Sequence, residues 1–111
     1  MTKTIRTYED FWPFYLAEHR RPLTRAIHVA GTGLGLMVLV LALATRIWWL
    51  IAVALAIGYG FAWLAHFFVE KNRPATFTYP WWSFISDFRM FWLAMTGRLQ
   101  REVDQYQVVL R

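Results

Sequence analysis

The apolar positions of this chain fall into two long blocks. Ala26 to Ala44 carries no charged residue, and neither does Ile47 to Val69. Each exceeds the ~18 apolar residues that mark a membrane-spanning helix. Only Thr45-Arg46 separates them, and a turn that short makes the two helices antiparallel neighbours. The first block sets His28, Gly31, Gly35 and Ala42 on roughly one face, and Gly31-xxx-Gly35 is a close-packing pattern for membrane helices. The second shows Ala54, Gly58, Ala62, His66 and Glu70 at four-residue spacing. Such a row winds slowly around a helix of 3.6 residues per turn. It predicts a ridge of small residues that interlocks with the glycine face and ends in His and Glu.

The flanks mix aromatic and polar positions. Thr7 or Asp10 is a suitable N-cap for a helix that Pro22 stops. Phe11, Trp12, Phe14, Tyr15 and Leu16 make that helix aromatic over much of its surface, which predicts a helix lying on the membrane leaflet. Thr24 is the expected N-cap of the first span. Lys71-Asn72-Arg73-Pro74 ends the second span, and a loop leads to Pro80. A last helix is predicted from Trp81 to about Glu102. Asp87 and Arg89 make a full crossing costly there, which favours an interfacial or half-inserted helix over a third membrane helix. From Val103 the tail shows no clear pattern. The pattern predicts an all-α integral membrane hairpin, a single domain over residues 1–111. Its parts are an interfacial helix at 8–21, membrane spans at 25–45 and 47–70, and the flanking helix at 81–102.

Composition supports the membrane reading. Of 111 residues, 58% are hydrophobic and 19% aromatic, with 7 Trp. A soluble chain this short could hardly cover two wholly buried long helices. The net charge of +5 sorts by position. Lys3, Arg6, Arg20, Arg21 and Arg25 precede the first block, and Lys71, Arg73, Arg89, Arg98, Arg101 and Arg111 follow the second. Only Arg46 sits at the turn. The positive-inside rule then puts both termini in the cytoplasm, at the inner membrane if the source is bacterial. Basic residues so distributed read as orientation signals and partners of anionic head groups. No basic, aromatic-interleaved strand pattern points to nucleic acid. With no cysteine, thiolate metal sites and thiol nucleophiles are excluded. Ala42-Leu43-Ala44 mimics a leader cleavage site, but the polar region before it is too long and another apolar block follows at once.

The candidate chemistry lies at the open end of the hairpin. His28 and His66 stand at nearly equal distances on either side of Arg46, so helices of equal rise bring them to one depth. His66 and Glu70, four apart, are expected to share a face and bind one ion. His19 and Glu18 can fold over the top, and Asp87 can approach from the last helix. Imidazoles with a carboxylate and open positions suit non-haem Fe(II) oxygen chemistry, and imidazole also suits Zn and Cu. Ionisable residues inside a membrane are a functional hypothesis by default. Plainer roles stand beside these. A histidine at a helix end can be an interfacial hydrogen-bonder. Glu70 can pair with Lys71 or Arg73, and Asp87 with Arg89 or Arg25. Arg25 can hold a substrate carboxylate or a head-group phosphate. There is no GxSxG elbow, phosphate loop or HxxHH cluster.

Three stretches resemble a known family. EHRRPLTRAIHVAGT (Glu18 to Thr32), HFFVEKNRPATF (His66 to Phe77) and PWWSFISDFRM (Pro80 to Met90) look like the small membrane proteins related to the yeast endoplasmic-reticulum 2-hydroxy fatty acid dioxygenase. The resemblance covers Tyr15 to about Gly97. It implies an Fe(II)-dependent alpha-oxidation that shortens a 2-hydroxy fatty acid by one carbon with release of CO2. Carried over by position, the implied functional residues are His19, His28 and His66, with Glu70, Asn72 and Asp87 beside them. Arg25 or Arg73 can hold the substrate carboxylate. The implied partners are a fatty-acid substrate, O2 and membrane lipids, and a homo-oligomer is compatible with so few spans. Two other readings remain open: a non-catalytic lipid-binding or scaffolding protein, and a haem protein with two axial histidines.

Overall fold

Thr7 begins the ordered helices as an N-cap, its Oγ1 accepting the Asp10 N–H at 3.2 Å. That bond satisfies one of the donors a helix start leaves free. The computed structural model describes residues 4–110. Lys3 and Arg111, which enter the charge asymmetry, lie outside the described residues. The architecture is all-α with five helices: α1 (Tyr8–Ala17), α2 (Pro22–Thr45), α3 (Leu50–Leu64), α4 (Pro80–Met95) and α5 (Leu99–Leu110). A π-helical segment, Ala65–Glu70, continues α3, and a 3₁₀ turn, Ala75–Phe77, leads toward α4.

The hairpin forms as its pattern predicts. At the turn Arg46 takes left-handed backbone (φ 58°). Thr45 Oγ1 donates to Leu41 O at 2.7 Å and accepts the Ile47 N–H at 3.3 Å. These bonds close off the end of α2. Gly31, Gly35 and Ala42 are buried on α2, and Ala54 and Ala62 on α3. At Gly35 a Cβ would stand 3.0 Å from the Ala54 carbonyl oxygen, so the two backbones meet there with nothing between them. The stretches Pro22–Thr45 and Leu50–Glu70 are long and apolar enough to cross a membrane. Only 28% and 22% of their most apolar windows is buried in the protein. Met37, Val40, Leu43, Trp48, Trp49 and Phe68 face outward, where water would oppose them.

The flanks differ from expectation in three ways. First, Pro22 opens α2 and does not merely stop α1. It occupies the first helical turn, with Arg21 as the cap, because its fixed φ suits N1 and it has no N–H to lose. Thr24 therefore lies inside the helix, buried, and is not a cap. Second, the aromatic face of α1 does not meet lipid. Phe11, Trp12, Tyr15 and Leu16 are buried with Tyr79, Met90, Leu93 and Val103 in the main apolar core. Third, the helix predicted over 81–102 is two helices. Gly97 has φ +72°, a conformation glycine adopts without the Cβ penalty, and the chain turns there. α5 then packs Val103 onto α1, while Trp12 Nε1 donates to Glu102 at 3.0 Å. α1, α4 and α5 so form a cap over the open end of the hairpin.

Candidate metal centre

His28 lies on the buried face of α2, one turn after Thr24. His66 lies in the π-helical segment, and His19 in the link between α1 and α2. The three arrive at one place. Their ring centroids are 4.5 Å (His19–His66), 4.9 Å (His19–His28) and 5.8 Å (His28–His66) apart. One nitrogen from each falls within 4.8 Å of the others, and all three residues are buried.

The second nitrogen of each ring is held from outside. His19 Nδ1 lies 2.6 Å from the Tyr15 carbonyl. A carbonyl only accepts, so Nδ1 carries the proton and Nε2 keeps its lone pair. His66 Nδ1 lies 2.8 Å from Asn72 Oδ1. The Asn72 amide orientation is fixed because its NH2 donates to Glu18 O at 2.9 Å and Glu18 Oε2 at 2.8 Å. His66 Nε2 is thus the nitrogen left with a lone pair. His28 Nε2 stands 3.3 Å from Asp87 Oδ1, leaving Nδ1. Tyr15 in turn donates its hydroxyl to Asp87 at 2.6 Å. This is how proteins prepare metal-ligating histidines, with an acceptor on the far nitrogen setting tautomer and orientation.

Buried polar atoms without partners mark the same spot. Among the described residues they are His19 Nε2, His28 Nδ1 and Thr24 Oγ1. Leaving such atoms unpaired costs about 1–3 kcal/mol each. A cation shared by the histidine nitrogens removes that cost for two of them. His19 is also held neutral. Burial, then the neighbouring His28 and His66, pulls its pKa well below the usual histidine range, so its lone pair is available at neutral pH. Burial raises the Asp87 carboxyl to about 7, partly offset by the Tyr15 hydrogen bond. The donor set fits a transition metal: three neutral imidazoles suit Fe, Zn, Cu or Ni and are poor ligands for Mg or Ca.

The other candidate residues are distributed around this centre. Asp87 and Asn72 touch His28 and His66 from outside the three-histidine group. Glu70 is turned away, and its Oε1 accepts the Arg21 N–H at 2.9 Å. His66 thus turns to the three-histidine group while Glu70 is taken up by the start of α2, and residues 65–70 wind as a π-helix. Its wider turn changes which residues stack above one another, and such segments recur at functional sites. Lys71 ends it in left-handed backbone (φ 62°), which brings Asn72 N to His66 O at 2.9 Å and its side chain to the His66 ring. Arg25 is buried and donates to His19 O at 2.7 Å, Arg20 O at 3.0 Å and Gln100 at 3.3 Å. It thereby pins the link that carries His19. Arg73 is exposed and lies over the Phe77 ring at 5.2 Å. Tyr15 escaped notice in the sequence because it sits in a run of aromatics. Its place four residues before His19 was the available signal.

Asn72→Ala should lower metal affinity about 10–100-fold, the usual effect of losing an outer partner. Glu70→Gln, which keeps an oxygen for Arg21, should leave it unchanged. Metal titration of both variants checks this, and equal losses would put Glu70 at the metal.

Comparison with known proteins gives one family match. A family model described as 2-hydroxy-palmitic acid dioxygenase Mpo1-like matches residues 5–99, which include the three histidines, Asn72 and Asp87. No curated protein and no solved structure matches the chain. With nearly the whole chain matched and the three histidines gathered in its centre, the protein belongs to the Mpo1-like 2-hydroxy-palmitic acid dioxygenase family.

Proposed function

We propose that the chain is a membrane-embedded dioxygenase that shortens a 2-hydroxy fatty acid by one carbon, using Fe(II) held by His19, His28 and His66. The observation that carries this is the set of three buried imidazoles, each with one nitrogen engaged by an outer partner and one nitrogen within 4.8 Å of those of the other two rings. The reaction balances without a further cofactor. A 2-hydroxy acid and O2 give the acid one carbon shorter, CO2 and water; the acid loses four electrons and O2 takes them up. Bound iron would supply the open positions at which O2 and the hydroxy acid meet.

The chain's own residues prepare that meeting. The Tyr15 carbonyl, Asn72 and Asp87 fix the imidazole tautomers. Arg25 and Asn72 fasten the His19 link to α5 and to the end of the π segment. The cap of α1, α4 and α5 shields the centre from bulk water. Pro22–Thr45 and Leu50–Glu70 cross the bilayer in this reading, with the histidines near the cytoplasmic surface. The outward apolar side chains and the scarcity of charge at the turn support it. A haem held between two histidines fits less well, because rings 4.5–5.8 Å apart leave no slot for a flat macrocycle.

Purified protein in lipid, loaded with Fe(II), should consume O2 and release CO2 from carbon 1 of 2-hydroxypalmitate in equal amounts. Palmitate should give neither. Metal-loaded protein that consumes no O2 with the hydroxy acid would favour the non-catalytic lipid-binding reading.

A further inference from the structure

An apolar groove of about 110 Å³ runs between α2, α3 and α4. Its inner end is formed by Thr32 and Asp87, and both touch His28. Thr32 Oγ1 donates to His28 O at 3.1 Å, and Asp87 Oδ1 stands 3.3 Å from His28 Nε2. The walls run from Thr32 to Leu39 on α2 and from Tyr59 back to Ile51 on α3. Those spans are about 10–12 Å of helix at ~1.5 Å per residue, and a cavity of about 150 Å³ holds a benzene ring, so the groove takes a short segment of an extended chain whose remainder lies at its open side. Apart from Thr32 and Asp87 the lining is almost wholly apolar. Leu55, Ile51 and Phe88 are partly exposed along it, so it opens sideways where lipid would lie.

We infer that this groove holds the acyl tail of the 2-hydroxy acid and that Gly58 keeps it open. The occupant follows from continuity: the groove starts at Asp87, whose Oδ1 stands 3.3 Å from the outer nitrogen of His28, and leads away along the hairpin. This assignment rests on the dioxygenase reading for its choice of ligand. Gly58 lines the groove, and a Cβ built there meets nothing within 4 Å. A side chain at 58 would therefore start in open space at the groove wall. Gly60 is a matched control. A Cβ there also meets nothing, but Gly60 is exposed and no part of the lining. Either glycine sits inside a helix, so replacing it favours folding.

The test uses the full chain in lipid nanodiscs under argon, with 2-hydroxypalmitate carrying a mid-chain diazirine. Labelling should fall on Leu39, Ile51 and Leu55 and be displaced by unlabelled 2-hydroxypalmitate. Gly58→Leu should reduce it at least about tenfold, and Gly60→Leu should leave it unchanged. Equal labelling of Gly58→Leu and wild type would overturn the assignment, as would labels confined to outward residues such as Met37 and Phe68. Labelling of the groove by a diazirine phospholipid that the hydroxy acid fails to displace would make the occupant a bilayer lipid and also overturn it. Because no O2 is present, the result is independent of turnover. A labelled groove without later O2 uptake would fault the dioxygenase reading alone, and O2 uptake with an unlabelled groove would fault the tail site alone.

Discussion

His28→Ala should strip the metal from the chain and abolish O2 uptake with 2-hydroxypalmitate. His66→Ala and His19→Ala should do the same. Each removes one of three nitrogen donors that lie within 4.8 Å of one another. A site reduced to two imidazoles loses more than the 10–100-fold in affinity that the loss of an outer partner brings. The effects on activity should be nearly equal for the three, because a metal shared by them would be lost as a unit. Their effects on stability should differ. His19→Ala leaves the Tyr15 carbonyl with only the Glu18 N–H at 3.2 Å in a fully buried place, a loss of about 0.5–1.5 kcal/mol of hydrogen bonding. His28→Ala leaves Asp87 with the Tyr15 hydroxyl still bound. Elemental analysis, an oxygen electrode and circular dichroism on the same preparations separate the outcomes. A folded His28→Ala protein that keeps one equivalent of metal would show that His28 serves only as a hydrogen-bonding partner of Asp87.

The hairpin and the meeting of His28 with His66 were legible because both follow from counting. Apolar length, a short turn and equal arms leave little freedom. The glycine face was legible for the same reason: Gly31, Gly35 and Ala42 repeat at helical spacing and are buried together. The cap was not legible. An aromatic face such as Phe11, Trp12 and Tyr15 leaves water equally well for lipid or for protein, and periodicity reads only the wish to leave water. α5 was hidden by its charges, although Leu99, Val103 and Tyr106 lie at helical spacing and pack on the core. The outer partner of His66 was not legible, because Glu70 accepts the Arg21 N–H and Asn72 reaches the ring only through the left-handed backbone of Lys71. Two start signals competed at α2, and the rigid φ of Pro22 won over the capping hydroxyl of Thr24.

Gly31→Ala should be the most damaging single methyl group in the hairpin. A Cβ at position 31 would run into Phe61 Cβ and lie 2.8 Å from Phe61 Cγ. Neither atom can swing away, since Cβ is fixed to the backbone and Cγ can move only with a change of rotamer. The two helices must therefore separate or slide. Overpacking of this kind costs about 1–3 kcal/mol, even though alanine is the better helix former. The damage should reach the metal centre, because Gly31 lies less than one turn from His28 and Phe61 stands shortly before His66. Helices forced apart here carry their histidines apart, so metal affinity should fall although no ligand has changed. Gly60→Ala is the reference. It meets nothing and should gain roughly 0.5–1 kcal/mol from the lost backbone freedom of glycine. Phe61→Gly removes both clashing atoms, so adding it to Gly31→Ala should restore part of the metal affinity. The double-mutant cycle should thus show strong coupling between 31 and 61. Denaturant unfolding in detergent and metal titration read the two effects separately. Equal stability of Gly31→Ala and Gly60→Ala would mean that the helices have room to spare at this crossing. The close approach of α2 and α3 at Gly31 would then not be what sets the spacing of His28 and His66.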